Sequence, residues 1–566
     1  MKTDWDVPIP MDDGVVLRAD VYRPDEGVHP VILSYGPYAK GLPFQVGYPD
    51  QWNRMVESHP DVAVGSSNSH QNWEVVDPEK WVPEGYVCVR VDSRGAGRSP
   101  GLIDHFSPRE TRDLYQCIEW AAVQPWSTGR IGLNGVSYYG INQWQVASLR
   151  PPSLAAMCVW EGASDHYRDM THHGGILCTF FANWYDKQVK TVQHGLGSRG
   201  PTESLNGLVV CGDMDLSDEE LESNRVDLGA SIAAHPLDDR YHRDRSAVFE
   251  QITTPLLSAG NWGGHGLHLR GNVEGFLGVA SEQKWLELHG LEHWTHFYTD
   301  YGRELQLEFF DHFLKDADNG WAQRPPVMLN VRHLDHFETR TSTSWPLPET
   351  SWTRLYLHPD QRLSTEPSSE TWELSFEAMG EGHTFSTEPF AEETEITGPS
   401  SARLHVSSST EDADLFVVLR LFDPSDNEVT FQGALDPHTP LAHGWLRASH
   451  RAVDTDLSTE WRPVHPHSRV EPLRPGQIYL LDIEIWPTSI VVPPGHRVAL
   501  TIRGRDYEGE PASQTISTFK NPFTGVGPFL HDDPDDRPPA VFSRITSIHG
   551  GPTSPSSILL PFIPRP

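Results

Sequence analysis

The segment GRIGLNGVSYYG, residues 129–140, decides the fold, because it combines the features of a strand, a sharp turn and the start of a helix. Its first half has the apolar texture of a short buried strand. Gly135 and Ser137 follow, and small residues around a serine favour a strained turn that exposes the hydroxyl. INQWQVASL (141–149) then continues as a helix. Ser137 is therefore either a nucleophile or an ordinary loop serine, and the flanking sequence has to decide between the two.

Strands and helices alternate on both sides of this segment. Several apolar runs are continuous, which is typical of strands that are buried on both faces of a parallel sheet. ETRDLYQCIEWAAVQP (110–125) lies between two of them and has helical spacing. We therefore predict an α/β domain with helices on both faces of a parallel sheet. The strand-like runs are HPVILSY (29–35), YVCVRVD (86–92), LAAMCVW (154–160), TPLLSAGNW (254–262) and KWLELHG (284–290).

The texture of the sequence changes twice further along the chain. Residues 166–248 look helical and lack clear strands, which predicts a helical cap inserted into the α/β domain. After about residue 330, short alternating runs are separated by Gly, Pro, Asp and Asn, as in an all-β sandwich or jelly roll. The predicted domains are the α/β domain (1–165 and 249–330), the cap (166–248) and a C-terminal jelly-roll β-sandwich domain (331–566).

Charge and composition exclude several kinds of partner. The chain has 78 Asp and Glu against 44 Lys and Arg, and its net charge of −34 repels phosphate backbones and anionic lipids. We therefore expect neither a nucleic-acid nor a membrane partner. The five cysteines include no C-x-x-C pair, which indicates a reducing compartment and no structural zinc. No apolar signal core is found at the N-terminus and no apolar run is long enough to cross a bilayer, so a cytoplasmic location is expected.

Several motifs around Ser137 share their order and spacing with a known family. VRVDSRGAGRSPG (89–101) precedes QPWSTGRIG (124–132) and GVSYYG (135–140), and GWLRASHR (444–451) lies far downstream. This succession resembles the cocaine esterase and X-prolyl dipeptidyl-peptidase group of serine hydrolases. The resemblance covers nearly the whole chain and is weakest in the cap. It implies an α/β-hydrolase domain, a helical cap and a C-terminal jelly-roll domain. It also implies cleavage of an ester or amide through an acyl-enzyme, without cofactor or metal.

The resemblance assigns roles to individual residues. Ser137 matches the nucleophile, and the backbone N–H of Tyr138 matches one oxyanion donor. The family's second donor, a tyrosine hydroxyl in a P-Y pattern, matches Tyr38. The family's histidine, in a G-P-W-x-H pattern, matches His296 as general base. His293 and His289 are close competitors.

The carboxylate that should orient the histidine is the main departure from the family pattern. The family's aspartate position falls on Gly264, and residues 259–270 hold no carboxylate. Glu161, at the end of a predicted strand, is the first candidate for this acid. A structural role for Glu161, or a contact with substrate, stays open. Glu274 is a weaker candidate because it lies in a predicted helix.

The substrate and the partners are predicted only by class. The expected partner is a small-molecule ester or amide, and Trp160, Trp184 and Trp262 are candidate walls of its pocket. HHGG (172–175) offers two metal-ligand side chains, although a packing or surface role is favoured. HDDPDDRPP (531–539) is expected to be a solvated loop, with a calcium site as the less favoured alternative. Three alternatives stay open: an X-prolyl dipeptidyl-peptidase, an acyltransferase on the same scaffold, and a binding protein without hydrolytic activity. The oligomeric state, including a homodimer, is not determined by the sequence.

Overall fold

The computed structural model describes residues 1–509 and 516–564 and places the 129–140 segment in the middle of a ten-stranded sheet. A short hairpin of two further strands, β7 and β8, lies outside this sheet. The strands of the first part of the chain are β1 (Lys2–Pro10), β2 (Val16–Arg23), β3 (His29–Gly36), β4 (Val87–Asp92), β5 (Ser127–Val136), β6 (Leu154–Trp160), β7 (His172–His173), β8 (Ile176–Leu177), β9 (Leu256–Asn261), β10 (Lys284–His289), β11 (Val327–Arg332) and β12 (Phe337–Ser342).

The ten strands lie in the order β1-β2-β4-β3-β5-β6-β9-β10-β11-β12. The central strands from β4 to β11 are parallel, and the strands at both ends are antiparallel. The carboxyl ends of β5, β6, β9 and β10 therefore meet at one edge of the sheet, which is where α/β proteins place their sites. The predicted α/β class is confirmed.

Helices cover both faces of this sheet and also build the cap. The predicted helices at 110–125 and 141–149 are α4 and α5, and α5 begins directly after Ser137. The helices are α1 (Phe44–Gly47), α2 (Pro49–Ser58), α3 (Pro78–Trp81), α4 (Pro108–Ala122), α5 (Tyr138–Ala147), α6 (Phe180–Trp184), α7 (Asp218–Ser223), α8 (Leu228–Ala233), α9 (Arg240–Arg243), α10 (Leu269–Gly278), α11 (Thr295–Tyr298), α12 (Asp300–Lys315) and α13 (Pro539–Phe542).

The cap is the insertion between β6 and β9. It contains α6 to α9 and, unlike the all-helical expectation, the β7–β8 hairpin in the HHGG segment. Two π-helical turns, His166–Thr171 and Tyr185–Val189, complete it. The hairpin contacts the all-β domain, because the amide of Arg447 donates to the carbonyl of Gly174 at 2.9 Å.

The all-β domain is a twelve-stranded sheet whose pairs are all antiparallel. Alternating residues of its long strands enclose one apolar core, which includes Leu404, Val417 and Ile483. Its strands are β13 (Ser351–Leu357), β14 (Leu363–Ser364), β15 (Trp372–Glu377), β16 (His383–Ser386), β17 (Thr394–Ser408), β18 (Asp414–Phe422), β19 (Glu428–Val429), β20 (Ala442–Arg447), β21 (Tyr479–Val492), β22 (Arg497–Arg503), β23 (Ile545–Gly550) and β24 (Ser557–Ile563).

One predicted domain boundary is wrong. The boundary at residue 330 cuts through β11, which pairs in parallel with β10 and forms a hairpin with β12. Both strands therefore complete the first sheet, and the all-β domain begins between Ser342 and Ser351. The sequence hides this because an antiparallel hairpin at the edge of the first sheet has the same texture as the strands that follow it.

Candidate active site

Ser137 lies on a strained turn between β5 and α5. Its backbone has φ 56° and ψ −114°, which non-glycine residues adopt only when the surroundings enforce it. The amide of Ser137 donates to the carbonyl of Trp160 at 3.0 Å. A Cβ atom on Gly135 would lie 2.4 Å from Cβ of Tyr139, and one on Gly140 would lie 2.9 Å from the carbonyl oxygen of Trp160. The two glycines are therefore required by space, even though the second is displaced by one position from the usual G-x-S-x-G spacing.

His268 is the side chain that meets this serine. Its Nε2 lies 3.0 Å from Oγ of Ser137, and the residue stands at the start of α10, after the loop that follows β9. Burial, and then His293, lower the pKa of His268 well below its ordinary value, so the imidazole is held neutral. A neutral imidazole that accepts the serine hydroxyl proton has the arrangement of a general base.

His296, the predicted base, is placed elsewhere. Its Nδ1 pairs with Oγ1 of Thr299 at 3.3 Å, and its ring packs against His289 and Tyr301. The prediction of His296 as the partner of Ser137 is corrected to His268. The physical reason is that the carboxyl ends of β9 and β10 are adjacent, so a histidine from either loop can reach the same place.

Glu161 faces the other nitrogen of His268. Its Oε2 lies 3.7 Å from Nδ1 of His268, longer than a hydrogen bond, and Nδ2 of Asn261 donates to its Oε1 at 3.2 Å. The backbone of Glu161 has φ 48°, and its amide donates to the carbonyl of Ala259 at 2.7 Å. Such a strained, fully buried carboxylate beside a histidine is typical of an active site.

Glu274, the weaker candidate for the acid, is occupied by another partner. Its Oε2 accepts from Nη1 of Arg462 at 2.9 Å, so it links α10 to the all-β domain. Gly264, at the position of the family's aspartate, accepts the amides of His268 and Leu269 through its carbonyl and so shapes the turn that presents His268.

A second histidine lies behind Glu161. Nε2 of His289 is 3.4 Å from Oε1 of Glu161, and its Nδ1 is 2.6 Å from Oε2 of Glu287. Glu287 also accepts from the hydroxyl of Tyr301 at 3.1 Å and from Nδ2 of Asn330 at 2.8 Å. These contacts connect a row of five side chains: Ser137, His268, Glu161, His289 and Glu287.

His289 and Glu161 influence each other's charge. Burial opposes a charge on His289, but Glu287 and Glu161 outweigh it and raise the pKa of His289 to about 9. Burial raises the pKa of Glu161 to about 7, although His289 and Asn261 work in the opposite direction. His289 is therefore an imidazolium at neutral pH, and it keeps part of Glu161 ionised.

Glu74 and His293 form a second pair beside the first. Nε2 of His293 lies 3.0 Å from Oε1 of Glu74, and the ring of His293 lies 5.5 Å from that of His268. Burial, followed by the charge of Glu161, raises the pKa of Glu74 well above its usual range. The backbone carbonyl of Glu74 accepts the amide of Val136, so this residue also braces the elbow.

The two predicted oxyanion donors come from the start of α5 and from the loop after β3. Tyr138 is the first residue of α5, where backbone N–H groups have no partner within the helix. The hydroxyl of Tyr38 accepts from Nε1 of Trp184 at 3.1 Å, which leaves its own proton available for donation. The Tyr38 ring packs edge-on against Tyr138 and Tyr139 with centroids 6.2 and 5.8 Å away.

The three predicted pocket tryptophans do not lie together. Trp160 and Trp184 belong to the same apolar cluster as Tyr38 and Tyr138, whereas Trp262 belongs to a different one. The indole of Trp262 donates to the carbonyl of Asn330 and packs between the first sheet and the all-β domain. Trp262 is therefore a core residue, and the prediction that it lines the pocket is corrected.

The sequence does not predict His268, Glu74 or Glu287 as site residues, and it offers His289 only as a competing candidate for the general base. A signal for His268 is present, because GNWGGHGLH (260–268) contains two histidines at the end of a predicted strand. The family pattern has a carboxylate in this loop, so it does not point to a catalytic histidine there. Glu74 had no signal at all, as it lies in a loop with irregular backbone and a φ of 62°.

The parallel sheet, the serine on a strand–helix elbow and the facing histidine define the α/β-hydrolase class. The comparisons with known proteins give the family. Residues 13–298 match the model of the X-Pro dipeptidyl-peptidase (S15) family, and residues 319–559 match its C-terminal non-catalytic domain. The chain belongs to this family, and it is a hydrolase.

Relatives cover almost the entire chain. A CocE/NonD family hydrolase from Staphylococcus aureus is 31% identical, with a TM-score of 0.83 over 99% of this chain and 94% of that one. The cocaine esterase of Rhodococcus sp. is 25% identical over 99% of this chain and 98% of the esterase. A putative Xaa-Pro dipeptidyl-peptidase of Streptomyces avermitilis is 24% identical over 76% and 68%. In the described part of the chain, no helix has the length and apolar character needed to cross a membrane.

Proposed function

We propose that this protein is a serine esterase that works through an acyl-enzyme, with Ser137 as nucleophile, His268 as general base and Glu161 as the acid that orients the base. The observation that carries the proposal is the 3.0 Å contact between Oγ of Ser137 and Nε2 of His268 at a strained elbow. This pairing also argues against the alternative of a binding protein that has lost its catalytic groups.

The reaction follows from the contacts. The serine hydroxyl passes its proton to Nε2 of His268 while Oγ attacks the ester carbonyl. The N–H of Tyr138 and the hydroxyl of Tyr38 bind the oxyanion, and the imidazolium then protonates the leaving alcohol. Water attacks the acyl-enzyme by the same steps, and the acid product leaves with Ser137 restored. Glu161 faces Nδ1 of His268 at 3.7 Å and, as a carboxylate, stabilises the transient positive charge of the imidazolium.

The carboxylates favour an ester over an X-prolyl peptide. A dipeptidyl-peptidase needs an anion for the free α-ammonium group of its substrate. Glu161 is enclosed between His268 and His289, and burial keeps Glu74 largely protonated because it raises the pKa of that carboxyl. Neither carboxylate is thus a free anion for an ammonium group, which supports the esterase.

Two assays test the proposal. A fluorophosphonate probe should label the folded protein, and Ser137→Ala and His268→Ala should both abolish labelling, while His296→Ala should keep it. The same preparation should hydrolyse a simple aryl ester faster than an X-Pro anilide. Labelling that survives Ser137→Ala would refute the nucleophile, and a preference for the anilide would show that the protein is a peptidase instead.

A further inference from the structure

A second cluster of buried side chains lies away from the catalytic serine, between the cap and the all-β domain. His173 ends β7 in the HHGG segment, Cys178 follows β8, and His531 comes from the acidic run near the end of the chain. Each of the three side chains offers one ligand atom, and these atoms all lie within 4.8 Å of one another. The three side chains are at most 3% exposed. The sequence predicts a solvated loop for the acidic run, but His531 in that run is buried.

The outer nitrogens of both histidines are already engaged. Nδ1 of His531 is 2.8 Å from Oδ1 of Asp506, and Nε2 of His173 is 3.3 Å from the carbonyl oxygen of Asp169. Because a carboxylate and a carbonyl only accept, each of these nitrogens carries the proton. The inner nitrogens, Nδ1 of His173 and Nε2 of His531, then face each other as two lone pairs at only 2.8 Å.

Two facing lone pairs repel, so this arrangement needs a cation between them. One extra proton would satisfy the pair of nitrogens, but it would leave the neighbouring thiol without a role. A transition-metal ion would use all three inner atoms. Histidines that bind a metal through one nitrogen while the other donates to a carboxylate or a carbonyl are the usual pattern in metal sites.

We propose that His173, Cys178 and His531 bind a Zn²⁺ ion that fastens the cap to the all-β domain. Imidazole nitrogen and thiolate sulfur are the ligands that Zn²⁺ prefers. The two nitrogens must part from 2.8 Å to about 3.3 Å, the separation that tetrahedral zinc with bonds of about 2.0–2.1 Å requires. The thiolate and the second-sphere Asp506 balance the two charges of the ion.

The position of the site explains what the ion would do. The cap segment and the all-β domain already meet there through backbone bonds, such as the amide of Thr179 with the carbonyl of Leu530 at 2.8 Å. An ion held by two cap residues and one residue of the all-β domain crosslinks this seam, so its binding energy adds to folding stability. The sequence alone predicts no zinc because Cys178 and His531 are remote in the chain, and only the fold brings them together.

The test uses the full-length wild-type protein and three variants, each loaded with Zn²⁺ or Co²⁺ and desalted before metal analysis. We expect about one retained zinc per chain, a higher Tm with zinc than without, and a thiolate-to-cobalt charge-transfer band with Co²⁺. Cys178→Ser and His173→Gln should lose the retained metal and the band while still hydrolysing the aryl ester. Cys211→Ser, which changes another buried free cysteine of the cap, should behave like the wild type.

Three results would overturn the site. Folded wild-type protein that retains no zinc would mean that the two histidines share a proton instead. Metal retained equally by Cys178→Ser would have to lie elsewhere, for example at Glu161, His268 and His293, whose ligand atoms also lie within 4.8 Å of one another. A cobalt complex without the charge-transfer band would show the same, because only the thiolate gives that band.

Discussion

The two sides of the candidate active site are built in different ways. On the nucleophile side, one continuous unit of β5, a turn and α5 fixes Ser137, and Gly135 makes the turn sterically feasible. On the base side, His268, Glu161 and His289 come from three separate strand ends, those of β9, β6 and β10. The nucleophile is therefore a local property of the chain, whereas the base is a property of strand order.

Strand order determines which loop can supply the base. Because β6, β9 and β10 are adjacent and parallel, side chains at their carboxyl ends converge on one point in front of the elbow. A histidine from either of two loops can therefore serve Ser137 within the same fold, while the serine has no alternative position. Substitution of each catalytic residue in turn tests whether the nucleophile is fixed at the elbow and which loop supplies the base.

Ser137→Ala should cause the largest loss, because no other group can occupy the elbow. We expect kcat for the aryl ester to fall about 10⁶-fold, with KM and circular dichroism unchanged. Steady-state kinetics on the purified variant measures this. A variant that kept a few per cent of the activity would mean that the elbow does not carry the nucleophile, and the local side of the comparison would fail.

His268→Ala should be nearly as damaging, since a serine without its base is almost inert. The expected loss in kcat is about 10⁵–10⁶-fold, against less than about tenfold for the matched variant His296→Ala. The comparison of these two rates distinguishes the loop after β9 from the loop after β10. If His268→Ala were as active as wild type and His296→Ala were inactive, the general base would be His296, in the loop after β10.

The sequence predicted the local parts of the molecule well and the non-local parts poorly. The strands around Ser137 and the start of α5 follow from short-range patterns, because each is determined by neighbouring residues, whereas the roles of Tyr38 and Tyr138 are predictions from the resemblance to the family. His268 depends on which strand ends lie side by side, and Glu74 depends on how an irregular loop packs against the elbow; neither is visible in a single sequence. Glu161 is predictable because it directly follows β6, and α/β sheets place their sites at the carboxyl ends of strands.

Glu161→Gln should lower kcat/KM by about 10⁴-fold at neutral pH, because the imidazolium of His268 loses its counter-charge. The wild-type rate should fall as the pH drops below about 7, because the pKa of Glu161 is raised to about 7 and its carboxylate becomes protonated below that pH. This acid limb should vanish in the variant. Glu274→Gln is the control, since it removes a partly buried carboxylate that pairs with Arg462, and it should keep the wild-type pH profile. An unchanged limb in Glu161→Gln would contradict the assignment.

Tyr38→Phe should reduce kcat by about 10²–10³-fold with little change in KM, because the hydroxyl acts only on the developing oxyanion. Tyr48→Phe is the control, as Tyr48 is buried beside Tyr38 with ring centroids 6.1 Å apart. It should stay within about threefold of wild type, as expected for a residue that contributes only packing. If the two variants lost the same amount, the hydroxyl of Tyr38 would have a packing role, and the elbow would rely on the amide of Tyr138 alone.

His289→Gln should give the smallest and most specific effect, a displaced pH profile. The imidazolium of His289 stabilises the anionic form of Glu161, so its removal should raise the pKa of Glu161 from about 7 to about 8 or above. A higher pKa moves the acid limb of kcat/KM to higher pH, and the rate at pH 7 falls about fivefold while the plateau at high pH is retained. His296→Gln, whose ring lies 5.1 Å from that of His289 but which has no contact to Glu161 in the described residues, should leave the limb in place. A loss of activity that is equal at every pH would show that His289 acts through packing, and the base side would then depend on the position of Glu161 and not on its charge.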